Sequence, residues 1–329
     1  MVCEPDTLGS VGVFTSMLVE NSDEQDPCDV ATFNASSERY EILSENVRYT
    51  DVLLGGNGFT GTIDRTGIHT RHGARIVTGQ ITMEVGPYEL QNWLPRILGN
   101  PASGTTYTTA EEFDLSPFDI MLKRDQGTVV YRHCGVRSAV LNAAASISGP
   151  EQVMKLTLDI LGFEEHDVPY PQDPPDLPTQ DRLYWLLGDG ELKLTPDQGT
   201  QEEYYFDSFS LRIDNGLTPV LRNFLQVTAL QSRGREIMLR ASTPYTADSH
   251  TDLYIDFFKG TGILKFYGAK YSNPAGEAPQ SYNTEITLND LRSIRRTPNA
   301  TGPGEVPLFL DMKAHRAGTN EPISIVNAY

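Results

Sequence analysis

The chain is poor in cysteine, in basic residues and in long apolar runs, and each shortage excludes something. Among its 329 residues only Cys3, Cys28 and Cys134 carry thiols. Their number is odd and no two stand at C-x-x-C spacing, so neither a disulfide scaffold nor a zinc module is expected. Synthesis in a reducing cytoplasm fits that pattern. Lysine and arginine number 26 against 44 aspartates and glutamates, a net charge of -18. A clamp on duplex DNA neutralises phosphates with cations, which this composition does not supply. No apolar stretch is long enough to span a bilayer. Met1 to Asp6 is acidic, without a basic start followed by an apolar run, so no secretory signal is expected. With 9% aromatic and 21% charged residues, the chain has the makeup of a folded body. Its length accommodates two domains, each with a core of its own.

What is present is a repeat. Asn57-Gly58 opens a turn, His72-Gly73-Ala74-Arg75 leads into a strand to Val85, and Pro87-Tyr88 opens the amphipathic run Glu89–Leu98. Farther on, Asn215-Gly216 opens a turn, Arg233-Gly234-Arg235 leads into a strand to Ser242, and Pro244-Tyr245 precedes the amphipathic run Ala247–Phe258. Each copy closes on L-x-L-D, at Leu156–Asp159 and at Leu308–Asp311. The offset between matched features is nearly constant, as a duplicated domain with loop insertions produces. Two matched domains in one chain suggest a ring or an array.

Alternation of apolar and polar residues marks strands over 75–85, 118–123, 128–132, 153–161, 206–214, 262–268 and 282–288. Arg124–Gly127 reads as a hairpin turn between two of them. Apolar residues at i, i+3, i+4, i+7 and i+8 make Glu89–Leu98 a short helix ended by Gly99-Asn100, with Pro95 expected to distort its last turn. The expected organisation is an N-terminal arm over 1–45, a first domain over 46–162, a Pro/Asp-rich linker and hairpin over 163–204, a second domain over 205–315, and a C-terminal arm over 316–329. The linker stretch 168–178 has no period and reads as stiff and solvated.

Candidate chemistry is thin. His69, His72, His133 and Cys134 lack the spacing of a metal set and read as turn or surface residues. Glu111-Glu112 and Glu164-Glu165 are neighbouring carboxylates that could serve a glycoside hydrolase, but both lie in charge runs of the kind that face solvent. Ser208, Ser210 and Ser242 have no G-x-S-x-G elbow around them. Gly55–Gly58 leads into no helix that could hold phosphate and reads as a turn. No cofactor, metal or catalytic residue is therefore expected. Trp93, Leu94, Leu98, Leu253, Phe257 and Phe258 are expected to pack each helix on its sheet, at about 1.5–3 kcal/mol for each buried side chain. Arg295 and Arg296, with the basic spot around Arg75, are either a solvated edge or salt-bridge partners of another subunit's acidic arm.

The residues from Arg75 to Gly99, with their strand, Gly-Pro-Tyr turn and short helix, are joined by Leu156–Gly162, Phe209–Gly216 and Arg235–Gly260. In this order, over roughly residues 45–315, they resemble the tail tube (major tail) proteins of long-tailed non-contractile bacteriophages, in the branch whose subunit carries two tube domains. The resemblance implies a mainly β fold of two tandem β-sandwich or barrel-like units, each with one short flanking helix. It implies homotrimeric, pseudo-sixfold rings stacked head to tail in the virion, with a carboxylate-biased channel through which DNA passes without specific binding. Tail tip, tail terminator and tape measure proteins would be partners, and a membrane would not. Contacts between subunits or rings would fall on the arms, on the loop with Lys270, Tyr271, Asn273 and Gln280, on Arg295 and Arg296, and on Ile323, Ile325 and Tyr329. The rival readings are a two-domain β-sandwich adhesin or virion decoration protein, and a carbohydrate-active enzyme using Glu164 or Glu165.

Overall fold

A computed structural model of the protein describes residues 16–21, 32–35, 37–55, 70–100, 103–110, 115–124, 127–145, 150–175, 184–197, 199–221, 227–245, 258–269, 281–294 and 307–328. Alternating sequence becomes strand almost everywhere in them. The first half supplies β1 (Ser16–Asn21), β2 (Glu38–Tyr40), β3 (Ser44–Glu45), β4 (Arg48–Gly55), β5 (Thr70–Glu84), α1 (Pro87–Leu98), β6 (Thr106–Thr108), β7 (Phe118–Arg124), β8 (Gly127–Ala144), β9 (Lys155–Gly162) and β10 (Glu164–Asp167). The second supplies β11 (Gly190–Pro196), β12 (Glu202–Tyr204), β13 (Ser208–Asp214), β14 (Leu217–Leu221), β15 (Val227–Ser232), β16 (Glu236–Pro244), β17 (Lys259–Ala269), β18 (Ser281–Ile294), β19 (Pro307–Ala314) and β20 (Ile323–Ala328).

The two halves pair their strands in the same order, always antiparallel. In the first, β4, β5, β9 and β8 form one sheet, and β2, β1, β7, β8 and β10 form the other. In the second, β13, β16, β19 and β18 repeat the first sheet, and β12, β11, β17, β18 and β20 repeat the second. The long strands β8 and β18 each serve both sheets, so each must bend between them. His133 at φ 48° and Asp290 at φ 40° are the non-glycine residues with positive φ among those described, and they sit at matching points of these bends. Gly135, two residues past His133, faces Leu161, as Arg292, two past Asp290, faces Lys313. The duplication read from sequence thus extends to a backbone kink.

Both sheets turn an apolar face inward, and one continuous core runs through both halves, from Met17 and Trp93 to Phe266 and Ile325. Helix α1 starts where the Glu89 carboxylate accepts the Gly86 backbone N–H at 3.0 Å and stops at Gly99, which adopts φ 88°. It runs through Pro95 to Leu98. The carbonyl that Pro95 leaves without a helical partner belongs to Gln91, an exposed residue that water can reach.

Three segments set outside the two units by sequence reading are placed in the sheets. β1, β2 and β3 lie in the expected N-terminal arm, β10 to β12 in the expected linker, and β20 in the expected C-terminal arm. The outer strands among them are short and polar, with β10 reading Glu-Glu-His-Asp and β12 Glu-Glu-Tyr, so they carry little alternation. Of the run Ala247–Phe258, expected as the second helix, all but Phe258 lies outside the described residues. No described helix is long and apolar enough to cross a membrane.

Close backbone approach accounts for Gly260 on β17. A Cβ there would fall on the carbonyl oxygen of Thr195 in β11. Gly260→Ala is expected to cost about 1–3 kcal/mol through strand displacement, read as a lowered denaturation midpoint with an unchanged slope.

Candidate functional site

The seam between the halves is the first surface of interest. Ser138–Ala144 of β8 pairs with Ser208–Asp214 of β13, joining two four-stranded sheets into one of eight: β4, β5, β9, β8, β13, β16, β19, β18. Beside this seam, the second half caps the helix of the first. Asn215, fully buried, donates from Nδ2 to the carbonyl of Ile97 at 2.9 Å and to that of Val136 at 3.0 Å. Its Oδ1 accepts from Arg235 Nε at 2.8 Å, and Arg235 Nη2 donates to the carbonyl of Leu98 at 3.0 Å. The Ile97 and Leu98 carbonyls lie at the C-terminal end of α1, where a cation is favoured by the helix dipole. Burial pulls the Arg235 guanidinium down to about 10, so its acceptors matter.

Among the described residues the eight-stranded sheet has two outer edges, β4 and the end of β18. In register, Ile81 faces Leu158 and Ala241 faces Leu310, so the L-x-L-D repeat aligns Arg75 with Arg235. Arg75 faces Asp51, which therefore corresponds to Asn215. The correspondence carries into the side chains, since Arg75 Nε stands 3.5 Å from Asp51 Oδ2. Asn57, the expected counterpart of Asn215, lies outside the described residues, and the register gives that place to Asp51. With Asp51 on the edge strand β4 and Arg75 beside it on β5, this pair lies at the sheet's rim, with the Arg75 and Asp51 side chains 34% and 29% exposed.

The face of the eight-stranded sheet turned away from the core is the second surface. On β13, Ser208, Ser210, Arg212 and Asp214 alternate with buried Phe209, Leu211 and Ile213. Four basic residues on this face are neutralised within the chain. Arg137 reaches Asp159 at 2.5 Å, Arg212 reaches Asp214 at 2.7 Å, Arg240 reaches Asp311 at 2.9 Å, and Lys313 reaches Glu236 at 2.7 Å. Lys155 stands opposite Glu84 in the register. At the β18 bend Arg292 reaches Asp290 at 2.8 Å and holds that carboxyl below the usual carboxylate range.

The residues singled out from sequence are dispersed. Trp93, Leu94, Leu98 and Phe258 are buried in the core; Leu253 and Phe257 lie outside the described residues. Lys270, Tyr271, Asn273, Gln280, Arg295, Arg296 and Tyr329 also lie outside them. Ile323 and Ile325 are 0% and 1% exposed, on a strand held between β18 and β6, so their side chains are spent on this chain's own core and not on a neighbour. Glu164 approaches Arg132 at 3.5 Å and His166 at 3.2 Å. Glu165 follows it on β10 and so points to the other face, which separates the two carboxylates as a catalytic pair. Cys134 is buried, and burial pushes its thiol well up. Among the described residues no group of His, Cys, Asp and Glu is arranged to hold a metal. In the sequence Asn215 opens a turn and Arg235 leads into a strand; neither the Asn-Gly nor the Arg-Gly-Arg signal points to their shared partner, the helix end.

Residues 47–308 match the phage tail tube protein family, a span that runs from the last residue before β4 into β19 and takes in the seam and both copies of the repeated sheet. No curated protein matches the chain. With a mainly β architecture, a doubled strand order and a family match over most of its length, the chain belongs to the phage tail tube protein family.

Proposed function

We propose that three copies of the chain close into a pseudo-sixfold ring, and that rings stack head to tail into a tail tube through which DNA passes. The observation that carries this reading is the seam. One β4-type strand, β13, already pairs with one β8-type strand inside the chain, while β4 and the end of β18 remain at the sheet's edges. Repeating the seam between chains joins edge to edge, and a closed sheet leaves no strand unpaired inside the ring. Three chains of eight strands then line one channel. Asp51 and Arg75, in the places of Asn215 and Arg235, would meet the neighbouring copy as those residues meet α1. Head-to-tail stacking is a heterologous contact that extends without closing, as a tube requires. Tail tip, terminator and tape measure proteins are the partners such a tube needs at its ends and within it.

The seam's register gives a test. Ile294 faces Asp311 as Ser138 faces Asp159, and Thr50 faces Ile76 as Asp214 faces Glu236. Since Ser138 faces Asp214 across the seam, Ile294 of one copy should face Thr50 of the next. Residues directly opposite in an antiparallel pair lie about 4.5–5.5 Å apart at Cα, within disulfide reach. A chain carrying Thr50→Cys and Ile294→Cys, assembled and then oxidised, is expected to give covalent dimers and trimers on a non-reducing gel, and nothing larger. Chains with either substitution alone control for the natural cysteines. Monomers only would refute the seam; a ladder beyond three would refute the trimer.

A further inference from the structure

We infer that the sheet face lining this channel is made non-adhesive to DNA by internal charge pairing rather than by an excess of carboxylates. The inference rests on the channel reading above. Among the described side chains of β4, β5, β9, the C-terminal part of β8, β13, β16 and β19, the cations on this face are Arg48, Arg137, Lys155, Arg212, Arg240 and Lys313. The carboxylates are Glu84, Asp159, Asp214, Glu236 and Asp311. Cations and carboxylates are thus nearly equal in number on a chain whose net charge is -18. The acidic surplus therefore lies off the described part of this face.

The pairing has a physical consequence. Arg137, Arg212 and Arg240 keep side chains 46%, 54% and 61% exposed, so a phosphate could reach each of them. Each nevertheless has its charge-assisted hydrogen bonds directed at an aspartate. Asp159 and Asp311 are only 13% and 5% exposed, fixed to the sheet as built-in counterions. Binding DNA releases condensed counterions only where a protein cation takes their place. A cation already neutralised by a fixed carboxylate gains little from a phosphate, and a phosphate facing near-neutral wall is not repelled either. Between the pairs lie Thr157, Asn142, Ser208 and Ser210, which offer short polar groups and no net charge. Arg48 marks the exception, with Thr50 standing where Arg212 has Asp214.

The test removes the counterions and keeps the shape. Tubes of the chain with Asp159→Asn, Asp214→Asn and Asp311→Asn are incubated with short linear duplex DNA, pelleted, and assayed for bound DNA against salt. Unsubstituted tubes are expected to retain little DNA, with almost no salt dependence. The triple variant should retain at least about tenfold more at low salt, its log affinity falling with log salt by about 0.9 for each phosphate contacted. Asp197→Asn, which removes the partner of Lys259 in the other sheet, should change nothing. Steep salt-dependent binding by unsubstituted tubes, or no gain in the triple variant, would overturn the inference. If the triple variant does not assemble, gel shifts on soluble subunits, whose sheet face is open, make the same comparison. A separate labelling experiment isolates the channel reading. Ser210→Cys in assembled tubes should react with a small maleimide and be shielded from a polymer-linked one, whereas Glu165→Cys reacts with both. Equal reaction of Ser210→Cys with both reagents would remove the face from the channel, whatever the DNA assay shows.

Discussion

Truncation of Trp93 to alanine is expected to destabilise the chain by about 3–5 kcal/mol, a large share of the roughly 5–15 kcal/mol that holds a domain together. The indole is fully buried and touches more than the sheet beneath its helix. Its ring centroid lies 5.5 Å from that of Tyr40 on β2 and 5.5 Å from that of Phe118 on β7, the latter edge-on at 85°. The Arg96 guanidinium sits 5.6 Å from both the Trp93 and the Phe118 ring. Arg96 in turn bonds Glu38 at 2.6 Å and Asn21 at 3.0 Å. Burial works against its charge, but the Glu38 hydrogen bond and charge outweigh this and raise its pKa. Removing the indole leaves a cavity beneath a buried ion pair and loosens α1, β1, β2 and β7 together. Trp93→Phe should be far milder, because Trp93 Nε1 has no hydrogen-bond partner among the described residues. Trp185 differs, since its Nε1 donates to Thr284 at 3.0 Å and Thr284 donates to Asn327 at 2.7 Å. Chemical denaturation of the two Trp93 variants checks the ordering. A loss below about 1 kcal/mol for Trp93→Ala would mean that the helix is anchored elsewhere.

Trp93 also shows what the sequence made legible. Its helix was readable because a 3.6-residue stripe, a proline-led start and a glycine stop agree with one another. Strands β5, β9, β13 and β16 were readable because one face is buried and the other solvated, which writes alternation into the chain. The doubled order followed from matched turns and the two L-x-L-D strands. Outer strands were not readable. Ile323, Ile325 and Met17 look like arm residues until β18 and β7 are present to receive them, and short polar strands such as β10 have no pattern of their own. The seam was hidden for a similar reason. Asn215 meets Ile97 across 118 residues of sequence, and no local signal spans that distance. Charge pairing across strands, as between Arg240 and Asp311, depends on register, which a net charge cannot report.

Asn215→Ala and Asp51→Ala, substitutions at corresponding positions, are expected to fail in opposite ways. Asn215 is sealed inside the chain, where its amide serves two carbonyls and its oxygen receives a buried guanidinium. Alanine there strands three polar groups at once, at about 1–3 kcal/mol for each that water cannot reach, so a loss of roughly 3–4 kcal/mol is expected. Thermal or chemical unfolding of the unassembled subunit reads it directly. Asp51 holds the same place beside Arg75, but at the rim, with the pair 3.5 Å apart and about a third exposed. Such a pair contributes at most about 1 kcal/mol to the isolated subunit. Asp51→Ala should therefore unfold close to the unsubstituted chain and yet assemble poorly, with tube yield by sedimentation and negative-stain microscopy falling several-fold. Arg75→Ala should behave alike, because in the proposed ring the pair meets the neighbour as a unit. Normal tube yield from both rim variants would sever the correspondence between the internal seam and the contact proposed to close the ring. A strongly destabilised Asp51→Ala subunit would instead place that side chain in the chain's own folding. A folded, non-assembling rim variant beside an unfolded seam variant is the outcome that follows if one contact, duplicated with its domain, stabilises the fold at one copy and the assembly at the other.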